Sequence, residues 1–179
     1  MKNNLRLAVF FPILAASSAA IADYKVDMNA IDIKGVGAPI GTIKVSAAPQ
    51  GGVLFTPDLK GLPPGTHGFH VHEFANCGAK EKDAKMEPGE MAGGHYDPKK
   101  TKRHAGPKGD GHLGDVPPLE VDAGGAATKP VTAEHPALRD MRNRSLVIHE
   151  GGDNFSDQPK PNGGGGTRVA CAVVQGGEK

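Results

Sequence analysis

The sequence has 179 residues, with 21 Lys and Arg, 20 Asp and Glu, and a formal net charge of +1 at pH 7. A balance so close to zero gives no reason to expect a nucleic acid or an anionic membrane as a partner. Trp is absent and only two Tyr are present, so the aromatic platforms on which bases stack are missing as well.

The first 22 residues, MKNNLRLAVFFPILAASSAAIA, have the features of a secretory signal peptide. A basic start precedes an apolar run at 7–16 and a small-residue cleavage site that ends at Ala22. The run is too short to span a membrane, and a core helix, the alternative, would not need the basic start. Cleavage would remove two of the 21 basic residues and leave one domain, 23–179, with a net charge near −1.

Short alternating runs rich in β-branched residues and bounded by Gly, Pro and Asp follow. This pattern predicts antiparallel strands and an all-β domain, either a sandwich or a barrel. At most one short turn of helix is expected, at 136–144. The predicted strands are 24–33, 39–48, 52–55, 66–73, 144–149 and 168–174.

Two long stretches, 74–111 and 150–167, are rich in Gly, Pro and charged residues and do not resemble strands. Such loops are uncommon in compact domains unless they are functional or disordered. Disorder alone would not explain the histidines of the first stretch. The glycine run at 163–166 could be a flexible linker, although it leads directly into a predicted strand.

The segment HGFHVHE at 67–73 places three of the eight histidines within seven residues. Side chains alternate along a strand, so His70 and His72 would project from one face and the apolar residues beside them from the other. One face therefore has core residues, and the other has a pair of candidate ligands.

Further histidines and one aspartate lie in segments that could converge with this pair. Imidazole is the commonest ligand of zinc and copper, whereas calcium and magnesium prefer oxygen. Seven ligands exceed one tetrahedral zinc site, so two metals that share a ligand are the economical arrangement. His135 is interpreted as an ordinary surface or core residue. The candidate ligands are His70, His72, His95, His104, His112, Asp115 and His149.

The spacing favours one division of these ligands but does not prove it. The three strand histidines would form a tetragonal site suited to Cu(II). The three candidates at 104–115 would supply zinc ligands, and His95 would lie between the two groups.

The two cysteines, Cys77 and Cys171, would meet an oxidising compartment after export. A single disulfide is the favoured state, and it would close a loop of about a hundred residues. Two separate buried thiols are the alternative.

Five motifs make the sequence similar to the copper/zinc superoxide dismutase family, specifically its exported bacterial form. They are HGFHVHE, GGHYDP, HAGP…GHLGD, LVIHEGGDN and GGGGTRVAC, and the resemblance covers roughly 24–174. It implies a Greek-key antiparallel β-sandwich or flattened barrel with long metal-binding and active-site loops. It also implies a periplasmic enzyme that converts superoxide into oxygen and hydrogen peroxide with one copper and one zinc ion per subunit.

The resemblance also implies a role for each candidate ligand, with His95 as the imidazolate that bridges the two metals. Four residues match the copper ligands: His70, His72, His95 and His149. Four residues match the zinc ligands: His95, His104, His112 and Asp115.

Three further residues receive roles from the same resemblance. Arg168 matches the catalytic arginine at the rim of the copper site. Asp153 matches the carboxylate that links histidines of the two sites, although Asp157 is close enough in sequence to leave this choice open. His67 matches a structural histidine that hydrogen-bonds to the backbone.

Cys77 and Cys171 match the disulfide of the family. Residues 80–91 form an insertion of the bacterial type, and the last loop lacks the charge pattern of the eukaryotic steering loop. The sequence therefore does not identify the lysines that guide superoxide, and four are candidates: Lys80, Lys82, Lys85 and Lys160.

Three alternative functions explain fewer of these residues. A protein that buffers copper or zinc would need the histidines but neither Arg168 nor Asp153. A copper-only dismutase would not need the zinc ligands, and a structural glycine-rich protein would leave the histidine positions to coincidence. A homodimer is compatible with the sequence, which does not distinguish it from a monomer.

Overall fold

A computed structural model describes residues 23–176, so the signal peptide expected at 1–22 lies outside the described residues. The described part contains short 3₁₀ turns at Glu90–Ala92, Leu138–Met141 and Asn162–Gly164. The strands are β1 Tyr24–Asp32, β2 Gly35–Ala47, β3 Val53–Leu59, β4 Gly65–His67, β5 Phe69–His72, β6 Lys80–Lys82, β7 Lys85–Glu87, β8 Leu119–Val121, β9 Val131–Ala133, β10 Arg144–His149 and β11 Arg168–Val174.

Seven strands form one curled antiparallel sheet in the order β5-β10-β11-β1-β2-β3-β9. The strands β1, β2 and β3 pair in chain order, whereas β10 and β11 return to lie between β5 and β1. This non-sequential return brings the two histidines of β5 next to the end of β10. The predicted all-β antiparallel class is confirmed.

The main core lies on the inner face of this sheet. Alternate residues of β3, Val53, Phe55 and Leu59, are fully buried, as the period of two along a strand requires. The ring of Phe55 packs edge-on against that of Phe69 from β5, with centroids 5.2 Å apart. Phe69 and Val71 of β5 therefore belong to the core, and the two histidines alternate with them along the strand.

Replacing Phe55 by alanine is expected to lower the free energy of unfolding by about 3–5 kcal/mol, because it leaves a cavity in a fully buried part of the core. Urea denaturation of the oxidised, metal-free chain measures this change. Phe74→Ala is the matched control, since that ring is 58% exposed and its loss should cost much less. Equal losses for the two variants would contradict this description of the core.

The predicted strand 66–73 is divided into β4 and β5 at Gly68. The N–H of Gly68 donates to the carbonyl of Gly151 at 2.7 Å, and its own carbonyl accepts from His149 at 2.8 Å. These bonds direct β5 toward β10, whereas β4 pairs with β8 in a separate two-stranded sheet. The expectation of one continuous strand is therefore wrong.

The hairpin of β6 and β7 lies within a stretch expected to be loop only. Asp83 and Ala84 form its two-residue turn, both with positive φ, a geometry that Asn-Gly usually signals. All three residues of β6 are exposed, so no apolar alternation marks the strand. The sequence pattern missed this hairpin because both usual signals are absent from it.

The predicted disulfide is confirmed: Cys77 and Cys171 are bonded, with their Cα atoms 5.7 Å apart. It ties the loop after β5 to β11, the strand that begins with Arg168. In residues 23–176, no helix has the length and apolar character that a membrane crossing would require.

Candidate metal centre

Two neighbouring strands supply three of the predicted ligands. His70 and His72 come from β5, and His149 is the last residue of β10, which pairs with β5 in antiparallel register. All three histidines are buried, with 0%, 0% and 7% of their surface exposed. Burial of this kind is costly for imidazoles unless their polar atoms have partners.

The long loop after β7 brings two more ligands to the same strand. Single backbone bridges place His95 opposite His72 and Asp115 opposite His70. Gly114, next to Asp115, holds the loop in place because its N–H donates to Tyr96 at 2.8 Å and its carbonyl accepts from Val71 at 3.0 Å. A Cβ atom at Gly114 would collide with the carbonyl of Val71, so only glycine fits.

The predicted ligands fall into two sets of four. In each set, one potential ligand atom per residue lies within 4.8 Å of the others. We call the first the four-histidine set: His70, His72, His95 and His149. We call the second the three-histidine–aspartate set: His95, His104, His112 and Asp115.

The histidines of the four-histidine set are each held by one ring nitrogen. His70 Nε2 lies 2.8 Å from an oxygen of Asp153, His72 Nδ1 lies 3.0 Å from the carbonyl of Gly93, and His149 Nδ1 lies 3.1 Å from that of Gly166. The other ring nitrogens of these three histidines are buried and have no hydrogen-bond partner among the described residues: His70 Nδ1, His72 Nε2 and His149 Nε2. Because the held nitrogens can donate to their oxygen partners, the partnerless ones can present lone pairs to a metal.

The three-histidine–aspartate set converges on one carboxylate oxygen. Oδ1 of Asp115 lies 2.9 Å from His95 Nδ1, 2.9 Å from His104 Nδ1 and 3.2 Å from His112 Nδ1. Ligands of a tetrahedral ion with bonds of about 2.0–2.1 Å lie roughly 3.4 Å apart. His104 Nδ1 is also buried outside hydrogen-bonding geometry, so the four donors fit a closed zinc site.

The ring of His95 is common to the two sets. Its centroid lies 3.9 Å from that of His70 on one side and 5.3 Å from that of His104 on the other. Because Nδ1 faces Asp115, Nε2 is the nitrogen left for the four-histidine set. One imidazole can therefore face both sets at once.

Asp153 joins the two sets by a second path. Its oxygens lie 2.8 Å from His70 Nε2 and 2.7 Å from His104 Nε2, and its side chain is 1% exposed. Asp157 contacts the backbone instead, since it accepts from the N–H groups of His104 and Asn162. Of the two aspartates, only Asp153 contacts imidazoles of both sets.

Asp153→Ala is expected to weaken binding of copper and of zinc by about 10- to 100-fold, because one histidine of each set loses the acceptor that orients it. Competition with chelators of known affinity measures both constants. In Asp157→Ala, copper binding should stay close to normal. Equal effects of the two substitutions on copper would show that Asp153 has no orienting role.

Burial sets the protonation of the four-histidine set. It lowers the pKa of His70 and His72 well below the usual value of 6.5, and the nearby His95 lowers both further. Burial also lowers the pKa of His149 to about 4. These imidazoles are therefore uncharged at neutral pH, which is the form that binds metals.

His104 of the three-histidine–aspartate set has the opposite tendency. Burial alone would lower the pKa of His104, but the carboxylates of Asp115 and Asp153, next to its two ring nitrogens, raise it to about 9. Burial would raise the pKa of Asp115 and of the neighbouring Asp153, but hydrogen bonds from histidines hold the pKa of both carboxyl groups below the usual range. Asp115 is therefore ionised, as a zinc ligand must be, whereas His104 must lose its proton before it can bind zinc.

Arg168 lies at the cleft through which the four-histidine set meets solvent. This cleft has a volume of about 470 Å³, and its lining includes His95, His149 and Arg168. The guanidinium donates to the carbonyls of Gly89 at 2.6 Å and Gly93 at 2.7 Å. Because the Gly93 carbonyl also contacts His72, Arg168 and a predicted copper ligand share one anchor.

Of the four candidate lysines, Lys82 and Lys160 line this cleft, and Lys80 and Lys85 do not. Glu90, which sequence reasoning did not single out, lies 3.0 Å from Lys82 and 3.4 Å from Arg168. No pattern in the 80–91 insertion distinguishes Glu90 from the other acidic residues there. The cleft thus has an internal counter-charge that the sequence did not predict.

The other predicted residues have separate environments. The two ring nitrogens of His67 lie 2.6 Å from the carbonyl of His149 and 2.8 Å from that of Pro63, so His67 contacts backbone and belongs to neither set. Gly163, at the start of the glycine run, packs so closely on Asp153 and His104 that a Cβ atom would collide with them. The run is therefore part of the centre.

Comparison with known proteins agrees with this geometry. The family model for copper/zinc superoxide dismutase (SODC) matches residues 39–174. The protein named superoxide dismutase (Cu-Zn) 2 of Salmonella typhimurium is 50% identical over 164 residues, which cover 91% of this chain and 94% of the relative.

Two solved structures have the same fold. The Cu/Zn superoxide dismutase from Brucella abortus matches with a TM-score of 0.84 at 46% identity, over 86% of this chain and 100% of that one. The monomeric copper, zinc superoxide dismutase from Salmonella enterica matches with a TM-score of 0.77 at 51% identity, with coverage of 86% and 100%. The matched sequence and the shared fold together establish that this chain belongs to the copper/zinc superoxide dismutase family.

Proposed function

We propose that this chain is a superoxide dismutase that converts superoxide into oxygen and hydrogen peroxide outside the cytoplasm. The observation that carries the proposal is the ring of His95, which is common to two sets of four ligands and lines an open cleft beside Arg168. A protein that only stores metal would need neither the shared ring nor the arginine.

The donor atoms favour copper in the four-histidine set and zinc in the three-histidine–aspartate set. Four imidazoles suit Cu(II), and a closed set of three imidazoles and one carboxylate suits a structural zinc ion. When bound, copper supplies one-electron redox chemistry, and zinc, which keeps one oxidation state, supplies structure and electrostatics.

Arg168 would bind and orient superoxide. Two carbonyls fix the guanidinium in place, and its five N–H groups leave further donors for a small anion. The side chain is 14% exposed, whereas that of Lys82 in the same cleft is 57% exposed. A partly buried cation attracts an anion more strongly than a solvated one, because solvent screens it less.

His95 would hold and release a proton at Nε2. Its Nδ1 stays 2.9 Å from Asp115, so the ring keeps its orientation while the other nitrogen changes partner. Imidazole can bind a metal or a proton at one nitrogen while the other remains engaged. His95 lines the cleft, where a proton on Nε2 would be available to the substrate.

Zinc binding to the metal-free chain at pH 7 is expected to release about one proton, because a pKa of about 9 keeps His104 protonated there. Zinc affinity should therefore rise as the pH rises toward 9. Titration calorimetry in buffers with different heats of ionisation counts the proton. Zinc binding without proton release at pH 7 would contradict the raised pKa of His104.

We infer that residues 1–22 are removed on export and that 23–179 form the mature enzyme in the periplasm. The basic start, the apolar run and the small residues before Ala22 support this inference, and so does the disulfide, which suits an oxidising compartment. Mass spectrometry of the periplasmic fraction tests it. A chain found there that begins at Met1 would contradict the cleavage.

The oligomeric state that we propose is a homodimer in exchange with a monomer. The exposed apolar residues Phe74, Met86 and Met91, at 58%, 45% and 43%, belong to one loop and hairpin region, 74–92, and support self-association. The Salmonella enterica relative is described as monomeric. Sedimentation over a range of concentrations distinguishes these states, and a single monomeric species throughout would exclude the dimer.

The function is tested by following superoxide decay with the full mature chain in three metal states. The chain with both metals should accelerate the decay strongly. The chain with zinc alone should not, and adding copper back should restore the rate. A chain that carries both metals but leaves the decay unchanged would exclude the proposed activity.

A further inference from the structure

A second cavity, of about 340 Å³, lies on the zinc side of the centre. Its lining includes the predicted zinc ligand His112 and the surface histidine His135, together with Asp97, Asp110 and Lys99. His135 has no part in the proposed reaction, and the sequence alone gave it no role. Its place in one cavity with His112 calls for a physical explanation.

His112 is the most accessible member of the three-histidine–aspartate set. Its side chain is 10% exposed, compared with 2% for His95 and 0% for His104 and Asp115. An ion can reach this set from solvent past His112 in the second cavity or past His95 in the cleft, and His112 is the less covered of the two ligands.

The cleft and the second cavity share no lining residue. An ion that entered through the cleft would meet His149, which belongs to the four-histidine set, and His95, which is common to both sets. Nitrogen ligands bind copper more tightly than zinc, so affinity alone does not keep the two metals apart. Separate access would let zinc reach its own set without passing the copper ligands.

We propose that zinc reaches the three-histidine–aspartate set through the second cavity, and that His135 binds it transiently on the way to His112. This inference rests on the assignment of zinc to that set under the proposed function. The carboxylates at the cavity attract a divalent cation, and imidazole readily replaces water on zinc.

His135 is the residue of the cavity that is free to act as a transient ligand. It is exposed, and its side chain makes no hydrogen bond or ion pair within residues 23–176. Asp97 is engaged, since it accepts from the hydroxyl of Thr101 and the N–H of Lys102. Asp110 is paired with Arg103. A neutral imidazole can bind a metal without first breaking such contacts.

The test follows uptake of Co²⁺, whose tetrahedral complexes absorb visible light, by the metal-free, disulfide-bonded mature chain. His135→Gln keeps a polar side chain but removes the imidazole, so cobalt uptake should slow several-fold while final occupancy stays the same. Lys99→Gln is the matched control, because it changes the same cavity without removing a ligand and should not slow uptake. Copper uptake should be normal in both variants.

An unchanged rate of cobalt uptake in His135→Gln would overturn the proposal and leave the zinc assignment intact. A rate that falls equally for cobalt and copper would also overturn it, since the effect would not belong to a separate path. Absence of a tetrahedral cobalt spectrum in the unmodified chain would overturn the zinc assignment and this inference together.

Discussion

Superoxide decay catalysed by the Arg168→Ala variant is expected to be about 10- to 100-fold slower than with the unmodified enzyme, with copper and zinc content retained. The guanidinium lies in the cleft and is fixed by the carbonyls of Gly89 and Gly93. Its loss removes the attraction and orientation of the anion but no metal ligand. Decay rates at several salt concentrations, together with metal analysis, measure the effect.

Two comparisons make the result specific to the cleft. Arg139→Ala removes the same charge from an exposed position outside the cleft and should leave the rate nearly unchanged. Arg168→Lys keeps the charge but loses the planar pair of donors, so its rate should lie between that of Arg168→Ala and that of the unmodified enzyme. An unchanged rate in Arg168→Ala at low salt would remove Arg168 from the path of the substrate.

His95→Ala is expected to weaken the binding of both metals by more than about 100-fold, because it removes a direct donor from each set. Loss of a contact outside the ligand set costs at most about that much. The remaining activity should also depend on pH, since the proton held at Nε2 is lost. Equilibrium competition with chelators measures the affinities. A pH series of superoxide decay measures the second effect.

His112→Ala is the informative partner of this variant. His112 belongs to the three-histidine–aspartate set alone, so its loss should weaken zinc binding far more than copper binding. Normal loading of both metals in His95→Ala would show that His95 does not connect them. Loss of zinc alone in that variant would assign His95 to the zinc site only.

Strands with strong patterns were predictable from the sequence. The predicted strands 144–149 and 168–174 coincide with β10 and β11, because both are β-branched-rich runs bounded by polar residues. The short strands β8 and β9 were not predicted. Each has three residues and pairs with a distant strand, so its conformation depends on tertiary contacts that no local pattern contains.

The candidate site was predictable in its side chains but not in its backbone. Histidine has few other reasons to occur at this density, so the ligand types were visible in the sequence. The carbonyls of Gly93 and Gly166 hold His72 and His149, but every residue has a backbone carbonyl, so the sequence does not indicate which ones make these contacts. The packing of Gly163 on Asp153 likewise depends on the folded arrangement of two loops.

The measurement that tests the central claim most directly is metal content and superoxide decay on one oxidised sample of the exported chain. We expect copper and zinc near one each per chain, with fast decay that cyanide or a copper chelator abolishes. Both metals bound at that ratio with no acceleration of decay would contradict it. The chain would then be a metal-buffering member of its family, and the placement of Arg168 and Asp153 would need another explanation.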